Sequence, residues 1–352
     1  FFMDLEERLL IIKKRPTEEI VTEKRLIELL EEKKVIKHYI GFEISGYAHL
    51  GTGLMTSLKI MDFIEAGIKP TIFLADYHSW INKKLNGDLE TIRKIAKGYF
   101  KHVFISLGLD EEKVSFVLAS EIYDEEYWKT CLEIANNTTL ARVKRATSIM
   151  GRKESEEMPA SFVLYPIMQA ADIFKLDVDI AHAGMDQRKA HMLALDVAKK
   201  INKKNFIAIH TSLLPSLKGF DRMNPEETKM SKSKPETALF IHDSPDVIKE
   251  KIKKAYCPLG NTEDNPVWKI LELIILRDDD ELFTIKRDKK YGGDIQGNIK
   301  ELRELYMQNK IHPDDLKNAI SEWLIEKLSP VRSYFEKNKE LITEMEMAKI
   351  TR

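Results

Sequence analysis

Lys229-Met230-Ser231-Lys232-Ser233 sets two ammonium groups three residues apart with small hydroxyls between them. A cationic loop of this kind suits a polyphosphate whose charge moves during a reaction. Taken alone it reads equally well as a solvated surface loop, which Lys234 and Pro235 would continue. A second candidate is His49-Leu50-Gly51-Thr52. Glycine lets backbone come close to a phosphate, a helix start offers free N–H groups and a positive dipole end, and an imidazole can donate to an oxygen gaining charge. A buried histidine at a tight turn explains those four residues at least as well. The third candidate is Tyr165, Gln169 and Asp172, whose spacing puts a phenol, an amide and a carboxylate on one helix face. Its plainer alternative is a partly exposed amphipathic helix. His78, His182 and His191 stand singly, and packing alone would account for each.

The elements that must position these groups alternate. A charged helical pattern over 4–33 is followed by a strand over 37–43, the Ser45-Gly46 turn and a helix from His49 to about Ala66. A buried strand over 69–76 arrives one helix later, as a parallel βαβ unit requires. Helix over 89–107, strand over 114–118 and helical segments over 123–150 come next, then a charged connection, GRKESEEMP, over 151–159. The segment 161–173 reads as helix with Pro166 in its first turn or at a kink. Strands over 178–182 and 206–210 flank a basic helix running from Arg188 to about Lys204. Beyond Asp243 the strands are expected to stop, leaving helices joined at Gly260-Asn261, Tyr291-Gly292-Gly293 and His312-Pro313. The expected fold is α/β, a doubly wound and mostly parallel Rossmann-like sheet with a C-terminal all-helical domain. The expected divisions are an N-terminal helical segment, 1–34; a catalytic domain, 35–240, with a helical insertion near 119–160; and a helical domain, 241–352.

Composition bounds the partners. A net charge of −1 in 352 residues gives no global field for nucleic acid, so any RNA-binding surface must come from local lysine clusters. Arg188, Lys189, Lys199, Lys200, Lys203 and Lys204 form one such run, and Lys249, Lys251, Lys253 and Lys254 another, though solvated faces explain such runs more often. The two cysteines, Cys131 and Cys257, lie far apart with no clustered histidines, against a zinc site or disulfide scaffold. There is no apolar run of about 18 residues and no basic-then-apolar leader pattern at the start, so a soluble, cytoplasmic protein is expected.

The His-x-Gly turn after the first of these strands and the Lys-Met-Ser-Lys-Ser loop after the last together resemble the two signatures of class I aminoacyl-tRNA synthetases. The resemblance implies ATP, with Mg2+, as substrate and no metal held by the protein. It implies that His49, Lys229 and Lys232 stabilise the departing phosphates, assisted by Ser231 and Ser233, with Gly51, Thr52 and Met230 also at the nucleotide. Thr52 departs from the family, which usually has a second histidine there, and a hydroxyl cannot carry charge.

Tyr39-Ile40-Gly41-Phe42-Glu43, Tyr165 to Asp172 and Gly184-Met185-Asp186-Gln187-Arg188-Lys189 are similar to segments of the archaeal and eukaryotic tyrosyl-tRNA synthetases, a likeness running from about residue 20 to 335. It implies L-tyrosine, ATP and tRNA(Tyr) as partners, and a homodimer through the 123–160 region. Tyr39 and Asp172 would bond the substrate phenol, and Tyr165, Gln169 and Gln187 its ammonium end. Gly41, Phe73, Ala75 and His78 would line the slot, with Glu43, Gly184 and Asp186 toward the adenosine side. Arg188 would read the acceptor stem, and Tyr291, His312 and Asp315 the anticodon, although Asp314 and Asp315 could equally cap the helix starting there. Ala183 stands where the family often has glycine. A tryptophanyl enzyme, a catalytically inactive RNA-binding or signalling relative, and a small-molecule adenylate-forming nucleotidyltransferase remain as alternatives.

Overall fold

The computed structural model describes residues 3–32, 35–151, 158–219, 230 and 235–350. Lys229, Ser231, Lys232, Ser233 and Lys234 lie outside the described residues.

Six strands form the main sheet: β1 (Thr17–Val21), β2 (Ile36–Phe42), β3 (Ile68–Leu74), β4 (Ser115–Leu118), β5 (Ile180–Gly184) and β6 (Ile207–Thr211). Their order is β1-β6-β5-β2-β3-β4, parallel throughout except where β1 runs antiparallel along β6. The inner strands are buried on both faces, as helices covering a parallel sheet require, and β6 is buried at every position. The chain winds outward from β2 through β3 to β4, then returns beside β2 with β5. The winding therefore reverses between β2 and β5, where open α/β sheets place their ligands.

Three expectations are corrected. The helix expected over 4–33 is two helices, Leu5–Lys13 and Glu23–Glu31, separated by β1. With Glu18 and Glu19 in five residues, β1 has the charge of a helix surface, and that same charge suits a sheet edge, where it discourages pairing with other chains. The strands also do not stop at Asp243: Phe283–Ile285 (β7) and Ile295–Gly297 (β8) pair as a short antiparallel hairpin within the helical C-terminal part. The basic helix is shorter than expected, ending at Ala198. Pro166 sits in the first turn of the helix Leu164–Lys175, where its missing N–H has no intrahelical partner to lose.

One buried apolar cluster runs from Ile40, Leu54 and Phe100 under the sheet to Trp268, Leu324 and Phe335 of the C-terminal helices, without a break at the expected boundary. A buried charged joint accompanies it. The Lys59 ammonium, fully enclosed, donates to the carbonyls of Ile12 (2.7 Å), Lys14 (3.2 Å) and Ile11 (3.3 Å) at the end of the first helix and lies 3.2 Å from Asp62. Asp62 also receives the Arg277 guanidinium, whose Nε donates to the Arg15 carbonyl at 2.8 Å. Arg15 in turn donates to the Leu276 carbonyl at 2.9 Å.

Candidate active site

Pairing between β2 and β5 ends at Tyr39↔Ala181, and beyond it a cavity of about 930 Å3 opens at the strand ends. Tyr39, Gly41 and Glu43 reach it from the end of β2, and Ala75 and His78 from beyond β3. Tyr165, Gln169 and Asp172 come from the helix after the charged connection, and Ala183, Gly184, Asp186 and Gln187 from the end of β5. His49, Gly51, Thr52 and Met230 also line it. The sheet thus brings together all the expected amino-acid and nucleotide residues that are described, except Phe73. That ring is fully buried and meets Tyr39 edge-on at 5.6 Å, so it supports a wall residue without being one.

At the deep end, Asp172 is enclosed. Its Oδ1 accepts from the hydroxyls of Tyr123 (2.7 Å) and Tyr127 (3.1 Å). Its Oδ2 lies 3.6 Å from His78 Nε2 and has no hydrogen-bond partner among the described residues. Burial, with a smaller push from Asp76, raises the carboxyl to about 8 against the pull of the two hydroxyls. Burial likewise lowers His78 to about 3, so its imidazole is neutral. Close approach explains Gly41: a Cβ there would stand 2.7 Å from the Tyr39 hydroxyl oxygen. Sequence reasoning missed Tyr123 and Tyr127. Their spacing of four across the start of the helix Glu125–Asn136 was the available signal.

Midway, Gln169 Nε2 donates to Gln187 Oε1 at 3.3 Å, and Gln187 Nε2 to the Ile149 carbonyl at 3.0 Å. Glu43 Oε1 accepts from Asn82 Nδ2 (2.6 Å) and the Tyr165 hydroxyl (3.2 Å), while Lys84 Nζ lies 3.3 Å from Oε2. Asn82 and Lys84 were not anticipated, because they reach Glu43 from a segment about forty residues on.

The signature turn is tightly organised. His49 Nδ1 faces the backbone N–H groups of Gly51 (3.1 Å) and Thr52 (3.4 Å). An N–H can only donate, so Nδ1 accepts and the neutral ring carries its proton on Nε2, 3.0 Å from Thr52 Oγ1. Thr52 thus orients the imidazole that the resemblance makes catalytic. A wide helical turn, Gly51–Met55, leads into the helix Thr56–Glu65. The turn is tied to the stretch after the lysine loop, since Leu50 N–H donates to Leu239 O at 2.9 Å and His49 bridges to Phe240. Before that stretch Met230, buried, donates its N–H to Leu214 O at 2.8 Å.

The expected RNA contacts lie elsewhere. Arg188 is held by Glu19 of β1 in a two-pronged ion pair, Nε to Oε2 and Nη2 to Oε1, both 2.8 Å. Glu19 also lies 2.7 Å from His210 Nδ1, and His210 Nε2 lies 3.0 Å from His191 Nδ1. His182 packs against His38, ring nitrogens 3.1 Å apart, in the core. Tyr291 is exposed, with Lys290 Nζ 4.8 Å over its ring. The helix Pro313–Lys327 is capped by His312, whose Nδ1 accepts from Asp314 N–H at 3.2 Å, so Asp314 and Asp315 occupy the first turn and are not the cap.

Fold, cavity and signature turn are those of a class I synthetase, and the comparison with known families agrees. Residues 31–329 match the family described as tRNA synthetases class I (W and Y), and the chain belongs to it. Within that family it is 48% identical to the tyrosine–tRNA ligase of Thermococcus sibiricus over 99% of this chain and 100% of that one. It is 49% identical to that of Thermococcus kodakarensis with the same coverage. The crystal structure of the Pyrococcus horikoshii tyrosyl-tRNA synthetase complexed with L-tyrosine superposes with a TM-score of 0.93 at 46% identity, covering 98% of this chain and 100% of that one. The Aeropyrum pernix tryptophanyl-tRNA synthetase, at 20% identity, TM-score 0.70 and coverage of 91% and 84%, shares the fold.

Proposed function

We propose that the chain activates L-tyrosine with ATP and transfers it to the 3′ end of tRNA(Tyr). The observation that carries this reading is the open Oδ2 of Asp172 at the closed end of the cavity, beside Tyr39, in a chain matched end to end by tyrosine–tRNA ligases. A substrate phenol supplies the missing partner. Phenylalanine would leave both buried groups unpaired, the kind of rejection for which tyrosyl-tRNA synthetases are themselves the standard illustration. An indole has a single N–H and no acceptor for Tyr39 to address, which disfavours the tryptophanyl alternative.

In the first step the tyrosine carboxylate attacks the α-phosphorus of ATP, the bond to the β-phosphate oxygen breaks, and pyrophosphate leaves. In the second, the terminal ribose hydroxyl of the tRNA attacks the acyl carbon and AMP departs. The protein's contribution is positioning and charge stabilisation. Gln169, Gln187 and Tyr165 hold the ammonium end, and Gly184 and Asp186 face the adenosine. A Cβ on Gly184 would come within 2.8 Å of both Asp186 Oδ1 and the Leu213 side chain, so a larger residue there would displace those two side chains. His49 Nε2–H, now on Thr52, is the donor that turns to the phosphates. Lys229 and Lys232, with Ser231 and Ser233, meet the departing pyrophosphate. Mg2+ enters with ATP as the counter-ion of its phosphates.

Residues 35–240 serve as the catalytic part and 241–352 as the anticodon-binding part, where Tyr291 and His312 Nε2 are available to bases. Arg188 meets the acceptor stem. Exposed Trp128, Leu132 and Leu140 in the 119–160 insertion support a homodimer through that region. No helix among the described residues is long and apolar enough to cross a membrane, and a cytoplasmic location is part of the same reading. The deciding experiment is amino-acid-dependent ATP–pyrophosphate exchange with tyrosine, phenylalanine and tryptophan. Tyrosine should drive exchange. Exchange with tryptophan alone would overturn the pocket assignment, and no exchange with tRNA still bound would establish an inactive relative.

A further inference from the structure

The Tyr123 and Tyr127 rings stack face to face, centroids 3.7 Å apart and 10° from parallel, and Tyr77 also stacks on Tyr123 at 5.6 Å. Neither Tyr123 nor Tyr127 lines the cavity. Both hydroxyls instead reach Asp172 Oδ1, and Tyr127 is steadied further by the Met168 carbonyl at 3.3 Å. A carboxyl group rotates in a broad, two-fold well, so an aspartate on a helix does not by itself present one chosen oxygen to a ligand. Two donors fixed on the same oxygen remove that freedom.

We propose that Tyr123 and Tyr127 are positioning residues for substrate selection: by engaging Oδ1 together they lock the carboxyl of Asp172 and leave Oδ2 as its single open oxygen for a para-hydroxyl. This rests on the reading of the cavity as a tyrosine site. The geometry has a direct chemical consequence. With Oδ1 engaged by two donors, a proton carried by Asp172 resides on Oδ2, so the locked carboxyl either accepts from the phenol or donates to it, and in both cases the contact is made at one place. The stack supplies stiffness. Tyr123 cannot withdraw its hydroxyl without giving up its stacking on Tyr77 and Tyr127.

The test is ATP–pyrophosphate exchange on the full chain, comparing wild type with Tyr123→Phe, Tyr127→Phe and the double variant, each also combined with Asp172→Ala. Each single change should lower kcat/KM for tyrosine about tenfold, mainly through KM, while KM for ATP and kcat/KM for phenylalanine hold. In the Asp172→Ala background the same changes should add nothing, because the group they orient is gone. Equal losses for tyrosine and phenylalanine, or losses that persist without Asp172, would show a structural role and overturn the proposal. Unchanged tyrosine preference in the variants, with a wild type that prefers tyrosine, overturns it alone. A wild type that rejects tyrosine brings down the substrate reading and this proposal together. Phenylalanine keeps both rings in the stack, and a circular-dichroism melt checks folding. Should Tyr127→Phe fail to fold, Tyr123→Phe, at the outer end of the pair, decides.

Discussion

Replacing Asp172 by asparagine should make the protein more stable and less selective, and the gain in stability should depend on pH. Asparagine keeps Oδ1 as acceptor for Tyr123 and Tyr127 and puts an amide nitrogen where Oδ2 stood, 3.6 Å from the neutral His78 ring. A carboxyl that must hold a proton to stay neutral in this enclosed place becomes an amide that is neutral at every pH. The wild-type carboxyl, raised mainly by burial from 3.8 to about 8, keeps its proton in the folded state while the unfolded chain gives it up. Below about pH 4 both states hold the proton and the residue adds no pH dependence. As pH rises from there to about 8 the unfolded state is progressively favoured, so wild-type stability falls across that window. The free energy associated with such a displacement is on the order of 5 kcal/mol at its upper bound, and about 2 kcal/mol would already be plain in a melt. Asparagine does not titrate. Its lead over the wild type in urea unfolding should therefore be small at pH 5 and widen by at least about 2 kcal/mol by pH 8. Because the other titrating groups are common to both proteins, they cancel in the difference. A lead of equal size at both pH values, or a variant weaker than wild type at pH 8, would refute the placement of Asp172 as a protonated, unpartnered group. In exchange assays the same variant should lose tyrosine-over-phenylalanine preference.

The remaining predictions concern other parts of the chain. Thr52→Val removes the acceptor of His49 Nε2–H, and kcat for adenylate formation should fall about tenfold, with KM for ATP nearly unchanged, in pre-steady-state measurements. His49→Asn should cost more, on the order of a hundredfold. Arg188→Ala should lower tRNA charging at least about fivefold while leaving ATP–pyrophosphate exchange intact, and a parallel loss in both assays would remove Arg188 from the acceptor-stem role. Lys59→Met strands the carbonyls of Ile11, Ile12 and Lys14 and strips Asp62 of one cation, so urea unfolding should show a loss of about 3 kcal/mol.

What the chain reveals before folding depends on the reach of each contact. The His49 turn was readable because His49, Gly51 and Thr52 act on one another within four residues. The pocket helix was readable because one helical face carries Tyr165, Gln169 and Asp172. The partners of those groups were not, since Tyr123 and Tyr127 meet Asp172 from 49 and 45 residues away and Glu19 meets Arg188 from 169. No local periodicity encodes such meetings. β1 escaped because a charged edge strand and a solvated helix surface draw on the same residue types, and its strand character comes from the backbone of β6. The β7–β8 hairpin escaped because strands of three residues carry too little alternation to stand out. Phe73 was placed one layer too far forward, since a buried strand presents apolar residues on both faces and spacing does not say which face meets the ligand.

The buried joint of Lys59, Asp62 and Arg277 also bears on how the molecule handles a substrate much longer than its cavity. Hydrogen bonds to enclosed charges tolerate little stretch, and each one broken leaves a charge without water to receive it. The joint consequently ties the helix Thr56–Glu65 to the end of the first helix and to the segment at Leu276 and Arg277. In the proposed role, a frame tied this way would hold the Tyr291 hairpin at a set distance from the cavity. That distance then works as a gauge: an RNA touching both ends is measured by the protein's length as well as read by its side chains.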